Sequence, residues 1–103
     1  MVLGERVNQI IVSFPKKEKF NLSSQMLRSV DSIALNISEG SILQSKAEFK
    51  RFVGYYIRSL AEVVTCIHKA RKRKYISENV FNELYLESYN LMNMMVAFKK
   101  NIK

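Results

Sequence analysis

From Ser45 to about Arg73, apolar residues recur at helical spacing without a break: Phe49, Phe52, Val53, Tyr56, Ile57, Leu60, Val63, Val64 and Ile67. That period predicts one long amphipathic helix. Ser45-Lys46-Ala47-Glu48 has the form of a capping box, in which the serine hydroxyl and the glutamate carboxylate each meet the other's backbone amide. At 1.5 Å per residue the helix would be roughly 40 Å long, and it needs neighbours to keep its apolar stripe out of water.

Both flanks supply such neighbours. Leu3, Val7, Ile10, Ile11 and Phe14 mark one face of a short first helix, which Pro15 is expected to stop. Lys16 to Lys19 read as a polar connection, Phe20 as a residue packed where the chain turns back, and Asn21 or Ser23 as the cap of a second helix. That helix places Leu22, Met26, Val30, Ile33 and Ile37 inward, with a polar stripe of Gln25, Arg28, Ser29, Ser32, Asn36 and Glu39 beside them. Gly40 suits the left-handed position just past its end, and Ser41 to Gln44 form the link to the long helix. Ser77 is expected to cap a fourth helix, with Glu78 in the first turn and Ile76 stapled against Phe81. Phe81, Leu84, Tyr85, Leu91, Met92, Met95, Phe98 and Ile102 should face inward. Four helices with short links predict one all-α domain over residues 1–103, an antiparallel up-and-down four-helix bundle with a long third helix. Three glycines and one proline leave few places to break the chain otherwise.

Composition adds a charge argument. Seventeen Lys and Arg against nine Asp and Glu give a formal net charge of +8, which suits either nucleic-acid binding or a well-solvated surface. Clustering separates the two. In an up-and-down bundle the first and third connections share one end, so Lys16, Lys17 and Lys19 should meet Arg71, Lys72, Arg73 and Lys74, opposed nearby by Glu18 and Glu78. Tyr75, beside the basic run, is the tyrosine best placed to stack on a base. No run is apolar and long enough to span a bilayer, no secretory signal opens the chain, and a single cysteine suits a reducing compartment; a cytoplasmic, non-membrane protein is expected.

Most chemistry is disfavoured. A di-metal site in a bundle core requires Glu-x-x-His pairs, and His68 has Thr65 three residues before it; Cys66 has no second cysteine or histidine with which to bind zinc. Two positions from Cys66, His68 lies on a different helix face and is a poor base for it. Phosphate loops, nucleophile elbows and dinucleotide fingerprints are missing, so the expectation is no catalytic residue, no metal, no cofactor and no enzyme. Asn36, Glu39, Ser59 and Glu62 read as structural, suited to hydrogen bonds between the second and third helices or across subunits.

Ser32-Ile33-Ala34-Leu35-Asn36-Ile37-Ser38-Glu39-Gly40, then Glu48-Phe49, then Ser59-Leu60-Ala61-Glu62, resembles the signature of the four-helix-bundle family named for 23S ribosomal RNA intervening sequences. Phe14-Pro15-Lys16-Lys17-Glu18, with Leu22 and Gln25 after it, and Tyr75-Ile76-Ser77 fit the same pattern. The chain departs from it at Ala34, where proline is usual, at Tyr56 and Arg58, where residues are small, and at Arg73 and Lys74, where leucine and glycine are usual. The run Arg71-Lys72-Arg73-Lys74 is thus particular to this chain. The resemblance implies a homopentamer, and a related accessory protein of diversity-generating retroelements binds nucleic acid and a reverse transcriptase. Physics gives a partial reason for self-association. The short first helix should cover the end of the long helix near Ile67, leaving Phe49, Phe52, Val53 and Tyr56 with fewer neighbours; Leu35, Leu86 and Tyr89 lie off the main apolar faces. The expected function is a non-enzymatic oligomer that binds nucleic acid, RNA favoured, through phosphate contacts; the alternative is a scaffold for an acidic protein partner.

Overall fold

The computed structural model describes residues 2–41 and 46–101, with side chains described for 3–35 and 46–100. Four helices follow one another: α1 (Val2–Ile11), α2 (Leu22–Ser41), α3 (Lys46–Lys72) and α4 (Glu78–Asn101), with one 3-10 turn at Lys16–Glu18 before α2. The long α3 is the axis. α2 and α4 pack along it, while α1 packs on α2 and α4, giving the up-and-down bundle that the sequence predicts. The longest dimension, 44 Å, is little more than the length of α3.

The core follows the predicted stripes. Leu22, Met26, Val30 and Ile33 from α2 meet Tyr56, Leu60, Val63 and Ile67 from α3, with Leu3 and Val7 from α1 and Phe81 and Leu84 from α4. Burying side chains of this kind contributes about 1.5–3 kcal/mol each, so the stripes alone specify how the helices turn toward one another. Of the four residues expected to have fewer neighbours, Val53 and Tyr56 are buried, because they lie on the same stripe of α3 as Leu60, and Phe49 and Phe52 are half-buried. Ser88 is fully buried in α4 between Leu84 and Leu91, and its hydroxyl has no hydrogen-bond partner among the described residues.

Several local expectations are corrected. α1 ends at Ile11 rather than at Phe14, where the Ser13 hydroxyl and amide both donate to the Ile10 carbonyl. Phe14 still packs inward, but from beyond the helix, ahead of Pro15, which disfavours helical geometry in the residue before it. Within the polar connection, Lys16–Glu18 forms a 3-10 turn. Asn21 precedes α2 and its carbonyl accepts the first helical bond, from Gln25, while its side chain turns back to Glu18; Ser23 lies buried within the helix. α2 runs through Gly40 to Ser41, so Gly40 is helical and does not lie past the end. Tyr85 and Phe98 are partly exposed, because α4 meets a single long neighbour and α1 is too short to cover its outer flank. Ser45, with its half of the capping box, and Ile102 lie outside the described residues, as does most of the link between α2 and α3.

Candidate nucleic-acid interface

The first and third connections meet at one end of the bundle, and a single carboxylate joins them. Pro15 leads into the 3-10 turn, where the Glu18 amide donates to the Pro15 carbonyl at 2.9 Å and the Lys19 amide to that of Lys16 at 3.1 Å. These bonds turn Glu18 inward, leaving its side chain 5% exposed. The Tyr75 hydroxyl donates to Glu18 Oε2 at 2.6 Å, Arg73 Nη1 donates to the same oxygen at 2.9 Å, and Asn21 Nδ2 donates to Oε1 at 3.2 Å. The bond from Tyr75 does most to hold the Glu18 carboxyl below the usual carboxylate range; burial opposes it, and the charge of Arg73 adds to it. The same bond raises the Tyr75 phenol above its ordinary value.

The third connection has defined ends of its own. At the end of α3 the Tyr75 amide donates to the Ala70 carbonyl and the Lys74 amide to that of Arg71, both at 2.9 Å, which is the paired pattern of a Schellman cap. Lys74 occupies the left-handed position of that cap with φ 62°, where glycine is favoured. Three residues later the Ser77 hydroxyl accepts the Val80 amide at 3.1 Å, capping α4 as expected.

The predicted cations divide into two sets. Lys16, Lys17, Lys19, Lys72 and Lys74 are exposed. Arg73 is engaged with Glu18, and the Arg71 guanidinium lies 4.0 Å above the centre of the Phe81 ring, with Glu78 at 3.9 Å. Tyr75, expected as a stacking residue, has its hydroxyl on Glu18 and its ring tilted against Phe14 at 5.3 Å. An open notch lined by Lys17, Glu18, Asn21, Arg73 and Tyr75 runs between the two connections. Phe20, expected to be packed, is 89% exposed, because the inward position of this turn is taken by Glu18. Periodicity says nothing about a side chain in a turn, and it missed both residues. A carboxylate inside Lys16-Lys17-Glu18-Lys19 was the available signal for the first of them.

Polar side chains of α2 and α3 hydrogen-bond to one another. Ser32 Oγ and Ser59 Oγ are 2.8 Å apart, and Ser29 Oγ, 3.1 Å from Glu62 Oε2 and 2.9 Å from the Gln25 carbonyl, shares one proton between them. Among the described residues, Ser29 and Ser32 are the partners on α2; the side chains of Asn36 and Glu39, which the sequence assigns to this set, lie outside the described residues. A cleft of about 280 Å³ on this face is lined by Gln25, Arg28, Ser29, Glu62, Thr65, Cys66 and Lys69. Burial pushes the Cys66 thiol up, away from the reactive thiolate. His68 is on another face, with its ring edge-on to Phe81 at 5.1 Å and Tyr85 at 5.7 Å. Among the described residues, no group of three His, Cys, Asp or Glu is placed to hold a metal ion, and no helix is long and apolar enough to cross a membrane.

Residues 1–97 match the family described as 23S rRNA-intervening sequence protein. The crystal structure of a protein of unknown function from the S23 ribosomal protein family, from Bacteroides thetaiotaomicron, is similar with a TM-score of 0.78 at 20% identity, over 96% of this chain and 99% of that chain. At that identity the likeness is one of fold. No curated protein sequence matches the chain.

Proposed function

We propose that this chain, which belongs to the 23S rRNA-intervening sequence protein family, binds nucleic acid through the basic end of its bundle and performs no catalysis. One observation carries the reading. Lysines from two connections far apart in sequence converge on one end, tied there by Glu18, and Lys16, Lys17, Lys19, Lys72 and Lys74 point to solvent. A surface of this kind suits phosphates, so binding is tolerant of sequence and weakens linearly in logarithmic terms with salt. Arg71 and Arg73 add to the field while remaining engaged in the fold. RNA is favoured because the family is described by a ribosomal RNA sequence.

Self-association is part of the proposal. Leu35, Leu86, Tyr89, Met94 and Phe98 expose apolar surface on α2 and α4, and a second copy of the chain would cover it. The homopentamer implied by the resemblance is the assembly we propose, and light scattering at micromolar concentration tests it: a monomer mass overturns it.

The binding site is tested by changing Lys16, Lys17, Lys72 and Lys74 together to alanine, which leaves the Glu18 contacts intact. The variant should keep its helicity and mass. Its affinity for mixed-sequence single-stranded RNA should fall, and the slope of log affinity against log salt should flatten by up to about 3, near 0.7 for each lost phosphate contact. Parental affinity across the salt titration would show that the site is elsewhere. A scaffold for an acidic protein would use the same lysines; a protein partner retained from cells after nuclease treatment, with no RNA or DNA recovered without it, would favour that reading instead.

A further inference from the structure

We propose that Phe20 is a base-stacking residue, so that the basic end takes single-stranded rather than duplex nucleic acid; the inference rests on the nucleic-acid reading above. Phe20 is 89% exposed, whereas Phe14, six residues earlier, and Phe81 are both buried. Its exposure does not come from a loose segment. The Asn21 amide donates to the Glu18 carbonyl at 3.0 Å, the Lys19 amide to that of Lys16, and the Glu18 side chain is held by Tyr75, Arg73 and Asn21. The ring is therefore presented from a fixed turn, so little ordering remains to oppose binding.

Its surroundings define the occupant. Lys16, Lys17 and Lys19 precede it, and the Lys19 ammonium is 5.5 Å from the centre of its ring. An apolar ring set among cations matches a ligand that offers flat aromatic faces along an anionic backbone, and an unpaired nucleotide strand is that ligand. A duplex meets the cations equally well but keeps its base faces inside the stack, beyond reach of the ring.

The chain contains no tryptophan, so Phe20→Trp places a single fluorescent reporter at the proposed contact. Full-length parent, Phe20→Ala and Phe20→Trp are titrated with oligo(U) and with an RNA duplex of equal length, and the mass and melting temperature of each are measured. Phe20→Ala should weaken oligo(U) binding about 5- to 10-fold, the low end of a single base stack, and leave duplex binding within about twofold. Phe20→Trp should keep the parental affinity, and its emission should be quenched by oligo(U) and not by duplex. Equal affinity of parent and Phe20→Ala for oligo(U), or unquenched tryptophan, overturns the stacking role while leaving the phosphate site standing. A parent that binds neither RNA overturns both. A changed mass in Phe20→Ala assigns the ring to a contact between copies. A tryptophan blue shift on phosphatidylserine vesicles without quenching by oligo(U) assigns it to a lipid surface. Either of these last results also overturns the proposal.

Discussion

At one end of the bundle, two hydrogen bonds to the Glu18 carboxylate join the turn Lys16–Glu18 to the residues after α3, Asn21 donates a third to it, and a Schellman cap and a serine cap close the helix ends there. Toward the other end, where α3 begins and α4 finishes, apolar contacts stand out among the described residues. Phe49 and Phe98 meet edge to face at 5.6 Å, and Leu35, Met94 and Phe98 remain open to solvent. α1 accounts for part of the difference, since its contacts with α2 and α4 include an ion pair from Arg6 to Glu83 early in α4. Directional bonds fix positions to a fraction of an ångström, whereas apolar burial alone fixes only which faces meet. The end that displays the lysines is thus held by directional bonds, and among the described residues the other end exposes apolar area at Leu35, Met94 and Phe98.

The contrast is tested most strongly by truncating one core residue in each half. Ile67→Ala, at a fully buried position, should lose about 2–5 kcal/mol, and Phe49→Ala, at a half-buried one, markedly less. Urea denaturation of both variants measures this. Equal losses would show that the open end is covered, and a concentration dependence of the Phe49→Ala loss would identify a second copy as the cover.

Glu18→Gln probes the bonded end directly, keeping the shape of the side chain and removing its charge. The melting temperature should fall by on the order of 5–10 °C at neutral pH. Because the folded carboxyl is held below its unfolded value, its stabilising contribution is complete above about pH 5 and is lost as the pH falls through the lowered folded value. Melts of parent and variant from pH 7 to pH 3 should therefore converge at the acid end. A constant gap would show that the charge of Glu18 is not what holds the two connections.

The smallest effect is expected at Lys74. Replacing it with glycine relieves a left-handed residue of its side chain and should raise stability by about 1 kcal/mol while removing one cation from the interface. A higher melting temperature with weaker RNA binding would place stability and function in opposition at this position. An unchanged melting temperature would mean that the cap accommodates lysine freely.

Much of the fold was legible because helix faces repeat. The stripe from Phe49 to Ile67 gave α3, Leu22 to Ile33 gave the inward face of α2, and Ser77 gave the start of α4. Ser88 falls on the inward line between Leu84 and Leu91, yet a hydroxyl argues for the surface, so its burial could not be read from the pattern. The candidate site was half legible. That its two connections converge follows from topology, but the division of its cations does not: whether Arg73 faces solvent or Glu18 depends on a partner 55 residues away. Phe20 was misread for a related reason, since in a turn the neighbours decide which residue points inward.

The distance spanned by the Glu18 contacts also bears on the order of folding. They join residues 55 and 57 positions apart, around the whole α2–α3 hairpin, and closing so long a loop gains little until the two helices have docked. The carboxylate therefore acts late, as a brake on opening rather than a guide to assembly. In Glu18→Gln the unfolding rate should rise while the refolding rate stays near that of the parent, and a slowed refolding arm would instead put the contact in the folding nucleus. A chain that holds its charged end by such a brake keeps that end closed for as long as unfolding is slow, even where its equilibrium stability is modest.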